Sequence, residues 1–118
     1  MRAARRALPT MPLMSKQRIA GLSDLVEGEA VRVDVDGSPI CVVRAGRCVY
    51  AIDDTCSHGQ ASLSEGEVDL DDLVVECPLH GSPFRLVDGV PIGLPATKPV
   101  ATHTVTIEGD DVLIDRPS

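Results

Sequence analysis

Short stretches of alternating apolar and polar residues, broken by turn-forming pairs, run along most of this chain. Val31, Val33 and Val35 fall on one side of an extended segment and Arg32 and Asp34 on the other, the period-two pattern of a half-buried strand. Asp36-Gly37 follows, a pair suited to the positive φ angles of a tight hairpin. Residues 40–43 and 48–52 form the next expected strand pair, around a turn placed at Ala45-Gly46. Residues 73–76 lead into Cys77, residues 84–86 and 90–92 flank Val87-Asp88-Gly89, and residues 102–107 and 112–114 flank a turn at 108–111. No segment carries a helical period. The expected class is all-β, an antiparallel sandwich or small barrel.

The 118 residues suffice for one domain, and with one Phe, one Tyr and no Trp its core must be built from Val, Ile and Leu. Charge is uneven. Residues 1–20 hold Arg2, Arg5, Arg6, Lys16 and Arg18 and no acid, whereas residues 21–118 hold 18 acids against six bases, a net −12. Such a surface repels nucleic acid and anionic membranes and suits a basic protein partner. No apolar run approaches the ~20 residues that cross a bilayer. The head, residues 1–15, is basic, contains Pro9 and Pro12 and lacks the apolar run of a secretory signal. It is expected to be a disordered extension of a domain spanning 16–118, in a monomeric protein of the cytoplasm where thiols stay reduced.

Half of the cysteines and two of the three histidines are concentrated in two short loops, Cys56-x-His58 and Cys77-x-x-His80. Two thiols and two imidazoles make a soft-to-borderline metal site. A structural zinc is chemically possible, but zinc modules pair like with like in each knuckle. A two-iron, two-sulfide centre with two Cys on one iron and two His on the other needs mixed loops, so that each loop touches both irons. Outside these loops, an Ala45-Gly46 turn sets Cys41 opposite Tyr50 and Cys48 opposite Val43, and both thiols are expected to be small core residues. His103 reads as an ordinary strand histidine. Asp69, Asp71 and Asp72 read as an exposed loop in preference to a docking patch.

The loops "CSHGQASLSEG" and "CPLHGSPFRL", with "GLPATKP" at Gly93 to Pro99, resemble the two cluster loops and the proline-containing covering loop of the Rieske ferredoxins. The similarity runs from about Lys16 to the C-terminus. It implies one 2Fe-2S cluster held by Cys56, His58, Cys77 and His80, and the role of a one-electron carrier without catalytic residues of its own. The members it looks most like pass electrons from an NADH-dependent flavin reductase to a terminal Rieske oxygenase that hydroxylates aromatic rings. The small subunit of assimilatory nitrite reductase shares the pattern and is the alternative, with a zinc-stabilised interaction module behind it.

The extra loop cysteines of the high-potential relatives are missing at Gly59-Gln60-Ala61 and Leu79, and Phe84 stands where those relatives have a tyrosine. Ser82 matches their hydrogen-bonding serine. The potential is expected in the lower part of the ~−150 to +300 mV range of such centres, which voltammetry checks.

Overall fold

The computed structural model describes residues 14–117. Its strands are β1 (Met14–Gly21), β2 (Ala30–Val35), β3 (Ser38–Ala45), β4 (Cys48–Asp53), β5 (Val68–Asp69), β6 (Val74–Glu76), β7 (Pro83–Arg85), β8 (Thr102–His103), β9 (Val105–Glu108) and β10 (Asp111–Pro117). Two single 3-10 turns, Leu22–Asp24 and Leu63–Glu65, are the only helical elements among the described residues. All strand pairs are antiparallel, in three sheets ordered β1-β10-β9, β2-β3-β4-β8 and β5-β6-β7.

The four-stranded sheet is the middle layer, and β3 shows why. Ile40 and Val42 point into one core with Val112 and Ile114, while Cys41 and Val43 point into another with Val75, Phe84 and Leu86. All four are buried, so the sequence reads "ICVV" without alternation, as a strand covered on both faces must. β2 lies at the sheet edge and keeps its alternation, with Arg32 and Asp34 exposed and Val35 buried. Asp36 and Gly37 join β2 to β3 at φ 53° and 83°, the paired positive angles of a type I′ turn.

Five expectations change. Residues 90–92 give only a bridge at Pro91, and residues 102–107 divide between two sheets as β8 and β9. Three more concern the β3–β4 hairpin and β1. The hairpin between β3 and β4 turns at Gly46-Arg47, because Ala45 pairs with Cys48; Cys41 therefore faces Ile52 and not Tyr50. That shift carries Cys48 out beside the turn, where it is exposed, while Cys41 stays fully buried. Finally, β1 begins at Met14, two residues inside the head read as irregular; residues 1–13 lie outside the described residues. β1 was hard to read because exposed Lys16 and Arg18 alternate with half-buried Gln17 and Ile19, and only Ile19 of these four is apolar. Its hydrogen bonding to β10 decides it.

Burial, with the charge of Asp54 second, pushes the Cys41 thiol from 9.0 up to about 12. An unfolded chain ionises this thiol first, so the fold binds more protons above pH 9 and loses stability as pH rises. The effect is complete near pH 12 and amounts to roughly 4 kcal/mol at most. Urea midpoints at pH 8 and pH 11 should diverge more in the wild-type protein than in Cys41→Ala.

Candidate metal centre

The two Cys–His loops leave the sheets side by side. The first follows β4: Thr55 bridges to Ser62, Cys56 N–H donates to the Ala61 carbonyl, and Gly59 N–H donates back to the Cys56 carbonyl. The second follows β6, where Cys77 N–H donates to Ser82 O and Gly81 N–H to Cys77 O. These local ladders make each loop a tight turn with its cysteine at the base. Both cysteines are buried members of the core containing Phe84 and Leu86, whereas His80 is half-buried and His58 exposed.

The donor atoms of Cys56, Cys77 and His80 lie within 4.8 Å of one another. His80 Nδ1 is 3.2 Å from Cys77 Sγ and 4.0 Å from Cys56 Sγ. The His58 ring meets the His80 ring edge to face, with centroids 4.6 Å apart. Close approach of the loops requires glycine at position 59, since a Cβ there would sit 2.8 Å from His80 Cε1. Burial pushes the Cys56 thiol up, partly countered by backbone N–H groups of His58 and Gly59 directed at its sulfur. Those N–H groups suit a thiolate ligand.

The donor chemistry fits an iron–sulfur group: two buried thiols form one end and two imidazoles the solvent-facing end. A single tetrahedral ion would need four donors around one point. Here His58 stands outside the compact group of three.

Residues 93–99 cover this site, and a serine from each cluster loop holds them. Ser57 Oγ–H donates to the Lys98 carbonyl, and fully buried Ser82 accepts from Ala96 N–H at 3.0 Å. Sequence reasoning missed the Ser57 tether, which no local pattern signals. Ser57→Ala removes a hydrogen bond of about 1 kcal/mol. Iron release to a chelator should then run roughly fivefold faster, as absorbance bleaching measures.

His103 is a strand histidine in β8, and its Nε2 lies 2.8 Å from Asp53 Oδ1, a partner brought by the pairing of β4 with β8. Asp69 caps its own turn by accepting N–H bonds from Asp71 and Asp72, so these acids do form an exposed loop.

Comparison with known proteins bears on this geometry. The Rieske 2Fe-2S domain family matches residues 15–104. The 3-phenylpropionate/cinnamic acid dioxygenase ferredoxin subunit of Escherichia coli (strain K12) is 50% identical over 97 residues, 81% of this chain and 89% of that protein. The chain belongs to the Rieske 2Fe-2S family. It is a Rieske ferredoxin, an electron-transfer protein with a 2Fe-2S cluster as its cofactor.

Among solved structures, the ferredoxin of carbazole 1,9a-dioxygenase from Nocardioides aromaticivorans IC177 superposes on this Rieske ferredoxin with TM-score 0.83. It is 39% identical, and the match covers 85% of this chain and 96% of that one. A complex of reduced oxygenase and oxidized ferredoxin in carbazole 1,9a-dioxygenase contains a chain that is also 39% identical, at TM-score 0.78, with 84% and 91% covered. A nitrite reductase small subunit from Mycobacterium tuberculosis, 21% identical at TM-score 0.79 with 91% and 99% covered, shares the fold. Among the described residues no helix is long and apolar enough to cross a membrane.

Proposed function

We propose that this Rieske ferredoxin carries single electrons from an NADH-dependent flavin reductase to a terminal aromatic-ring-hydroxylating oxygenase. In this reading Cys56 and Cys77 hold one iron, and His58 and His80 hold the other. When bound, the cluster supplies a one-electron couple. The chain's own residues bury the thiolate end in the Phe84 core and turn the imidazole end outward, which gives an electron a short way in and out at His58 and His80.

The observation that carries the reading is the surface around those histidines. Leu79 and Leu94 are 72% and 80% exposed, and Ile92 is 56% exposed. Residues 56–62, 77–82 and 91–97 contain no charged residue, and exposed Lys98 is the one charge in the covering loop. This apolar collar is suited to closing against another protein and excluding water from the transfer path. Acids lie on the flank, at Glu65, Glu67, Asp69, Asp71, Asp72 and Glu76, where they steer the approach of a basic rim without entering the contact. Docking in this reading is apolar, with the acids steering the encounter.

The kinship favours an oxygenase acceptor: half the matched residues are identical to those of a dioxygenase ferredoxin subunit, and a relative occurs in complex with its oxygenase. A nitrite reductase role has only the fold behind it. We take the protein to be a cytoplasmic monomer.

Reconstitution tests the whole reading. NADH, a flavin reductase of this class, a ring-hydroxylating oxygenase and its aromatic substrate should yield product only when the ferredoxin is added. The rate should decline as salt rises. Co-purification with a sirohaem enzyme, and no product in the reconstituted system, would reverse the assignment.

A further inference from the structure

Asp54 is 1% exposed, and it is the one carboxylate in the buried set among the described residues. It sits where β4 ends and the Cys56–His58 loop begins. Its N–H donates to Pro39 O at 3.1 Å, its carbonyl accepts Leu63 N–H at 2.6 Å, and its Oδ1 accepts Ser64 N–H at 2.7 Å. One residue therefore ties the start of the loop to its end and both to β3. Among the described residues no lysine, arginine or histidine forms an ion pair with it.

We propose that Asp54 is a positioning residue with two separable effects: its oxygen braces the Cys56–His58 loop, and its unneutralised charge makes the cluster harder to reduce. The proposal rests on the ligand assignment above. The charge argument follows from electron counting. Two ferric ions, two sulfides and two thiolates sum to zero, and one added electron makes the core −1. A carboxylate in the same interior opposes that added charge, and weakly screened interior charges act strongly on one another. The Cys41 thiol lies near enough to be subject to the same charge. That thiol lies in the core shared by Cys56 and Cys77, and the charge of Asp54 adds to the burial that keeps it protonated.

Two variants separate brace from charge. Asp54→Asn keeps an oxygen to accept Ser64 N–H and removes the charge. It should retain full iron and acid-labile sulfide, with the potential raised by on the order of tenfold in the reduction equilibrium, about 59 mV for a one-electron couple. Asp54→Ala removes both, so iron release to a chelator should accelerate by tenfold or more, while circular dichroism still reports the β fold.

An Asn variant with intact cluster and unchanged potential overturns the charge effect. Loss of the cluster in Asn, or wild-type iron retention in Ala, overturns the brace. Potential and iron release are read on the ferredoxin alone, so failure of the partner assignment leaves them untouched. Spin resonance of the reduced wild-type protein tests the ligand assignment separately, because mixed thiolate and imidazole ligation lowers the average g below that of an all-thiolate centre.

Discussion

His80→Ala is expected to give a colourless protein without acid-labile sulfide, without a reduced-state spin signal and with electron delivery at background. His80 is placed to have a large effect. Its Nδ1 lies within 4.0 Å of both buried sulfurs, and its ring is the only contact that positions the exposed His58 ring among the described aromatic contacts. On the proposed ligation, removing it leaves one imidazole for an iron that needs two. Ligand loss also removes binding energy from the fold, so the melting temperature should fall with it. Cys48→Ala is the control: that thiol is exposed beside the β3–β4 turn, and the variant should keep its colour and activity. Equal iron and sulfide in purified His80→Ala, with a wild-type spectrum, would remove His80 from the ligand set.

The second large effect is expected at the apolar collar. The double variant Leu79→Asp, Leu94→Asp places two carboxylates where the partner must exclude water. Burying an unpaired charge in an interface costs about 2–5 kcal/mol, so transfer from the reduced ferredoxin to the oxygenase should slow by roughly 30-fold or more in stopped-flow mixing. The potential should scarcely move, because both side chains are exposed. Neutralising the flank as Asp69→Asn, Asp71→Asn, Asp72→Asn should act differently, slowing association only a few-fold and flattening its response to salt. Equal losses in the two variants would mean that charge and not apolar contact governs docking.

The site was more legible than its surroundings. Cys56-x-His58 and Cys77-x-x-His80 could be read directly because two or three residues of one loop determine which donors stand together. The strands of β2 and β3 were readable because one shows edge alternation and the other an unbroken apolar run. The β3–β4 turn was misplaced by one residue, since Ala45, Gly46 and Arg47 offer two acceptable loops and only packing of the strands selects between them. His103 gave no sign of Asp53, fifty residues away, and Asp54 looked like one acid among eighteen.

Side-chain chemistry and short spacings were enough to single out two thiols and two imidazoles as candidate donors, because those properties travel with a few neighbouring residues wherever the chain goes. The folded chain alone decided which acid would be stripped of water, which thiol would face outward and which leucines would ring the histidines. Each of those outcomes depends on strand register and on contacts between distant segments, and burial is a property of the assembled neighbourhood that no single stretch of residues contains.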